Sequence, residues 1–185
     1  MGWSVADKPD GRIERHPGTS SAEHGPHLRF RQFDVADLGA VELLIHDTID
    51  SRYSSLYPPR AVQFFKGFHS RDNILERHRT GAVLVVEHDQ DMNATGATVA
   101  GEITGVFVHR RFQGRGIGGQ VMDRLEEIAR ADGHDAVTLS ISLPSRGFYE
   151  GRGYTIVESC SDDTGGGERL DYWEAEKRLD GRHST

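Results

Sequence analysis

Residues 102–154 read EITGVFVHRRFQGRGIGGQVMDRLEEIARADGHDAVTLSISLPSRGFYEGRGY, and the order of residue types in this stretch decides the architecture. A β-rich run ends at Val108, and a basic, glycine-rich turn spans Arg110 to Gly119. An amphipathic helix follows, with Ile117, Val121, Leu125 and Ile128 on one stripe. Asp123, Arg124, Glu126, Glu127 and Arg130 cover its other side, and Gly133 suits a helix stop. Ala136–Ser142 is β-rich again. A strand, a glycine turn and a helix in that order make a cradle for an anion. Glycines admit close backbone approach, amide N–H groups point outward, and the helix start carries about half a positive charge. His109, Arg110, Arg111 and Arg115 add positive charge in a chain that is otherwise acidic. An anionic ligand at this turn is the physical conclusion.

Working outward, Leu28–Phe33 alternates like a half-buried strand, and Asp34 or Asp37 can cap a helix bearing Val41, Leu44, Ile45, Thr48 and Ile49. Pro59 suits the first turn of a second helix, and Ser70 to Arg79 reads as a third, ended by Gly81. Three strands follow: Ala82–Glu87, a weaker Met92–Val99 after a polar turn at His88–Asp91, and Glu102 onward after an Ala100-Gly101 turn. Tyr154–Ser159 and Arg169–Glu176 flank Gly165-Gly166-Gly167 and would close the sheet. The whole predicts an α/β chain with a central mixed β-sheet flanked by helices. Residues 1–26, rich in Gly, Pro, Ser and charge, read as a flexible polar tail, and 27–180 as one domain. His16, His24 and His27 cluster there, where solvated histidines explain them better than a metal site.

Composition narrows the function. The 185 residues, 36% hydrophobic and 28% charged, fit one globular domain. Lys+Arg 22 against Asp+Glu 29 gives a net charge of −7, which disfavours nucleic acid as a partner. No run reaches the roughly 18–20 apolar residues of a membrane span. The single cysteine, Cys160, excludes an internal disulfide and a cysteine-based metal cluster, so a reducing, cytoplasmic setting without a metal is expected.

Which anion binds depends on how the glycines are parsed. Gly114, Gly116 and Gly119 match G-x-G-x-x-G, but in a chain with 22 glycines that match is weak alone. A dinucleotide site also wants this turn at the first strand of a doubly wound sheet, and here it lies past the middle. The other parsing is Gln113-x-x-Gly116-x-Gly118. With it, the segment resembles the GNAT superfamily of N-acetyltransferases, whose Q/R-x-x-G-x-G/A turn binds the pyrophosphate of acetyl-coenzyme A. Val106-Phe107-Val108-His109 is similar to that family's fourth strand, and Ala136–Ser142 to the fifth, which parts from it to admit pantetheine. Phe148-Tyr149-Glu150-Gly151-Arg152-Gly153-Tyr154 is similar to its F-Y-E-x-x-G-[FY] segment. The resemblance extends over residues 28–179.

The resemblance implies the GNAT fold, acetyl-coenzyme A as acyl donor, and direct transfer to a primary amine. It implies cofactor contacts from Val106, Phe107, Val108, Gln113, Gly114, Arg115, Gly116, Ile117, Gly118, Gly119 and Ser142. Ser142 and Ser145 stand where the family often has Asn and Ala, and Arg110 where it usually has Pro. Tyr149 is implied as the acid that protonates the departing thiolate, although Phe148 and Tyr149 also suit a core anchor. Glu102 sits where one branch of the family has its general base; shielding between strands would raise its pKa, whereas a solvated strand end would leave it inert. His109, His69 and Glu87 are weaker candidates for the base. Ser51 to His69, aromatic through Tyr53, Tyr57, Phe64, Phe65 and Phe68, is where the acceptor is expected. Two other functions compete: a non-catalytic acyl-coenzyme A sensor, and a nicotinamide-dependent oxidoreductase. An exposed strand edge would allow a homodimer.

Overall fold

The computed structural model describes residues 28–88 and 91–179. The expected tail, its histidine cluster and residues 89–90 of the polar turn lie outside the described residues. Strand β1 (Arg29–Gln32) leads through a short turn capped by Asp34 into helices α1 (Leu38–Tyr53), α2 (Pro59–Phe68) and α3 (Arg71–Thr80). Then come β2 (Ala82–His88), β3 (Asp91–Val99), β4 (Glu102–Val108), α4 (Ile117–Ala131), β5 (Ala136–Ser142), the short α5 (Arg146–Glu150), β6 (Thr155–Gly165) and β7 (Glu168–Arg178). Pro59 begins α2, where its missing N–H costs nothing. Ala100 and Gly101, at φ of 49° and 83°, make the tight β3–β4 turn.

The seven strands form one sheet in the order β1-β2-β3-β4-β5-β7-β6. All neighbours are antiparallel except β4 and β5. The sheet is therefore mixed, as expected, and the doubly wound parallel sheet of the dinucleotide reading is absent. Strands β6 and β7 run longer than their hydrophobic pattern predicts, and β6 lies at the outer edge. Among the described residues, no helix is long and apolar enough to cross a membrane.

Each face of the sheet has its own core. Val41, Leu44, Ile45 and Ile49 of α1 pack with Val83, Val85 and Phe107 on one face. Ile117, Val121, Met122 and Leu125 of α4 pack with Val86, Ile103, Val137 and Ile141 on the other. Glu126 departs from its expected place on the solvated side of α4: it is buried, accepting from Tyr154 Oη at 3.1 Å and Lys177 Nζ at 2.7 Å. A carboxylate can be buried there because two donors replace the water it loses.

Two irregularities in β4 shape the centre of the molecule. Thr95 pairs with Phe107 and Ala97 with Thr104, so Gly105 and Val106 oppose the single residue Gly96. This bulge, with Gly105 at φ 63°, breaks the alternation of side chains. Ile103 and Val106 consequently share the α4 face, while Phe107 faces α1. The second irregularity is that β4 meets β5 at one register pair, Glu102 with Thr138, backed by Thr138 N–H donating to Gly101 O at 3.1 Å. Beyond that pair the strands part.

A Cβ at Gly96 would lie 2.8 Å from Val121 Cγ1 and 2.9 Å from Leu125 Cδ1. Gly96→Ala is therefore expected to force α4 away from the bulge and destabilise the fold by about 1–3 kcal/mol. The midpoint of urea unfolding checks this, and an unchanged midpoint would show that α4 does not rest on the bulge.

Candidate active site

The parting of β4 and β5 opens the sheet from face to face. On the α4 side lies a cavity of about 410 Å³. On the other lies one of about 210 Å³. Tyr53, Val106, Phe107, Ser145 and Tyr149 line both, so the two cavities meet in the gap between the strands.

The α4-side cavity is built by the strand end Val106–Val108 and by Gln113, Gly114, Gly116, Ile117, Gly118 and Gly119 of the glycine turn. These residues come together as the sequence predicts. Gly114 and Gly116 hold left-handed φ of 74° and 77°, and a Cβ on either would meet nothing within 4 Å. Open space therefore lies against the backbone at the start of α4. Gly116 is the N-cap, no side chain caps the helix, and the first-turn amides have no intrahelical acceptor. The Gln113 side chain folds back instead, donating from Nε2 to Val108 O at 2.8 Å and fixing the turn to the strand.

Arg115 does not line this cavity; its guanidinium lies 5.3 Å over the Phe112 ring. Ser142 lines the opposite cavity, its hydroxyl engaged by Tyr53 Oη at 2.9 Å and Ser145 Oγ at 3.1 Å. Sequence reasoning missed Thr48 and Arg52 of α1, and also Pro144, all of which line the α4-side groove. Phe148, weighed above as a core anchor, is 40% exposed and walls the same groove against Gly118.

Tyr149 is buried in the gap between the cavities. Among the described residues nothing hydrogen-bonds its hydroxyl. Burial, with the nearby Tyr53 phenol, pushes its pKa well above the usual value, and Arg152 opposes this only partly. The group therefore holds its proton at neutral pH and can only give it. Glu102 lines the other cavity at the start of β4, but it is exposed rather than shielded between strands. Glu87 is bound by Arg31, and His109 Nδ1 accepts from Arg111 N–H at 3.3 Å; neither residue lines the gap.

The smaller cavity has an aromatic wall of Tyr53, Phe64, Phe65 and Phe68 from the expected segment. Tyr57 is instead a brace, donating to Asp171 O at 2.9 Å and accepting from Leu143 N–H at 2.7 Å. The far wall, Asp162, Leu170 and Tyr172, comes from β6 and β7, and no local pattern in the sequence marks it. His69 is buried here, with Arg77 Nη1 3.1 Å from its Nδ1. Burial, then the charge of Arg77 and then His46, pull its pKa from 6.5 down to about 3. Among the described residues no cluster of His, Cys, Asp or Glu could hold a metal.

Comparison with known proteins agrees with this geometry. The acetyltransferase (GNAT) family profile matches residues 49–154, more than half of the chain. Similar solved structures include a GCN5-related N-acetyltransferase from Rhodopseudomonas palustris, with TM-score 0.73 and 20% identity over 83% of this chain and 96% of that one. The PaiA N-acetyltransferase from Thermoplasma acidophilum, in complex with coenzyme A, gives 0.66 and 15% over 83% and 99%. The yncA protein of Salmonella typhimurium, with its cofactor acetyl-CoA, gives 0.63 and 20% over 86% and 98%. At these identities the likeness is one of fold. No curated protein matches the sequence itself.

Because His69 binds protons more weakly folded than unfolded, the unfolded chain takes up the extra proton between about pH 6.5 and about pH 3. Its contribution is fully present above that window and is lost as pH falls through it, by at most about 1.4 kcal/mol per pH unit. Unfolding midpoints measured from pH 7 to pH 4 should fall less steeply for His69→Gln than for the parent chain; equal slopes would mean that the histidine is not held neutral.

Proposed function

The chain belongs to the GNAT acetyltransferase family, and on that premise we propose that it transfers an acetyl group from acetyl-coenzyme A directly to a primary amine. The observation that carries this reading is the gap itself: of the two tyrosines that line both the glycine-turn cavity and the aromatic cavity, Tyr53 is tied to Ser142 and Tyr149 keeps its hydroxyl uncommitted. A donor entering from one face and an amine from the other would meet beside its hydroxyl.

The residues present fit acetyl-coenzyme A. Gly114 and Gly116 leave open the space that a pyrophosphate needs, α4 offers uncapped amides, and Arg52 adds charge from across the groove. When bound, the cofactor supplies an acetyl thioester. The chain's own part is to bind, orient and move protons. The separated strand end Val106–Val108 presents backbone beside the gap, and the bulge at Gly105–Val106 turns it there. Tyr149 Oη gives its proton to the leaving sulfur, a role suited to a phenol that burial keeps protonated. Glu102, at the rim of the aromatic cavity, takes the proton of the incoming ammonium directly or through water. Nucleophilic relay through Cys160 is not part of this reading, since that residue lines neither cavity.

Tyr149→Phe should lower kcat by about 10–100-fold with little change in the cofactor KM, the modest loss reflecting water as a substitute donor. An unaltered kcat when chemistry is rate-limiting would remove Tyr149 from the mechanism. Gly116→Val should abolish binding, since a branched side chain would be strained at φ 77° and would fill the cradle. Thermal shift is the test: acetyl-coenzyme A at about 100 times its Kd should add roughly 2.7 kcal/mol to the parent and nothing to the variant. A shift with NAD(H) instead would overturn the reading, and a shift with coenzyme A but no thiol release on any amine would favour the sensor.

A further inference from the structure

The aromatic cavity contains a histidine that the proposed chemistry leaves unused. His69 follows the last turn of α2, is only 5% exposed, and lies edge-on between Phe68 and Phe107, with ring centroids 5.0 and 4.9 Å away. Its Nδ1 is 3.1 Å from Arg77 Nη1. A guanidinium has donors and no acceptor, so Nδ1 must offer its lone pair. A neutral ring with a lone pair on Nδ1 carries its hydrogen on Nε2. The neutral form is enforced from three elements: burial between α2 and β4, Arg77 on α3, and His46 on α1. Glu102, which lines the same cavity, acts on Arg77 and supports the guanidinium's charge.

Arg77 is itself fixed. Its Nη2 donates to Phe68 O at 2.8 Å, and its guanidinium lies 4.9 Å over the Phe68 ring. The clamp therefore sets both the orientation and the tautomer of His69. Nε2–H has no partner among the described residues. Nor is it sealed in: the buried, unpartnered side-chain atoms belong to Asn93, Arg130 and Arg152. His69 lines the aromatic cavity. A ring with its hydrogen already on Nε2 cannot take a proton there from an ammonium. It donates a hydrogen bond instead, and a ligand oxygen is a fitting acceptor.

The surroundings limit what carries that oxygen. Phe64, Phe65 and Leu170 offer an apolar pocket, while Glu102 and Asp162 put two carboxylates on the wall. A cationic amine is attracted there and a ligand carboxylate is repelled. We propose that His69 determines acceptor specificity by donating from Nε2–H to a carbonyl oxygen adjacent to the amine. The acceptor is then an uncharged-carbonyl α-aminoacyl compound with an apolar side chain, either an amino-acid amide or a peptide N-terminus. This inference rests on the acetyl-transfer reading above.

The test uses the full chain and thiol release at saturating acetyl-coenzyme A. The amines are phenylalanine amide, a short peptide beginning with phenylalanine, free phenylalanine, and phenethylamine, which lacks the carbonyl. Phenylalanine amide should exceed phenethylamine at least tenfold in kcat/KM, mainly through KM, and should exceed free phenylalanine as well. The peptide arm distinguishes the source: comparable turnover points to a chain terminus, and exclusion to a small amide. In His69→Ala the ratio of amide to phenethylamine should fall to about 1, and His69→Gln, which keeps an N–H donor, should restore part of it. Independently of turnover, a long-range proton–nitrogen NMR correlation on the parent chain at pH 7 should show hydrogen on Nε2 and none on Nδ1. Hydrogen on Nδ1, an amide preference that survives His69→Ala, equal use of amide and phenethylamine, or turnover of neither despite a normal cofactor-induced rise in Tm each overturns the assignment. Absence of that rise overturns the acetyl-transfer reading itself, which separates the two failures.

Discussion

The site depends on a sheet that is joined at one residue pair and then allowed to open. Parallel neighbours normally continue their ladder, since each unpaired amide in the interior costs free energy. Here β4 and β5 meet at Glu102 and Thr138 and separate. What stabilises the opening is packing on both sides of it. The C-terminal turn of α1 plugs the gap with Tyr53, whose hydroxyl reaches Ser142 at the end of β5. Tyr57 bridges to Asp171 on β7 and to the Leu143 amide beyond β5. Two phenols, one at the end of α1 and one in the connection to α2, thus replace part of the missing ladder with side-chain hydrogen bonds, and the space left over becomes the two cavities.

The fold was largely legible because its evidence is local. Glycine and proline punctuation at Pro59, Gly81, Ala100-Gly101 and Gly133 marks element ends through backbone constraints that act within a few residues. The strand–turn–helix from Val106 to Leu125 carries its own signature, so the turn residues other than Arg115 line one cavity. The failures are equally physical. Glu126 looked solvated because helical periodicity sees only its own helix, whereas its partners Tyr154 and Lys177 arrive from a loop and from β7. Asp162, Leu170 and Tyr172 were invisible as site residues because strand β7 inserts between β5 and β6, and that order is set by pairing across the chain. Arg52 was missed because α1 reaches the glycine turn only through tertiary packing, which no local pattern marks.

The role of His69 shows how environment can overrule residue type. A histidine near a reaction centre is ordinarily read as a base. An arginine at its Nδ1 and the loss of water around the ring reverse that expectation, leaving a donor whose direction is fixed by its neighbours. The same logic separates the two tyrosines that line both cavities. Tyr53 spends its hydroxyl on Ser142 and Ser145, while Tyr149 keeps its own uncommitted.

The insertion of β7 between β5 and β6 also orders the assembly of the sheet. The cradle, the gap and Tyr149 are all encoded before residue 155, but β5 has no outer neighbour until β7 has been made. A folding chain in which β7 has not yet docked therefore has β5 bare along its outer edge, and β6 reaches the sheet only through β7. An unpaired strand edge is a surface on which other chains can add, so the Gly165-Gly166-Gly167 turn, which brings β7 back into the sheet, also guards the folding chain against association.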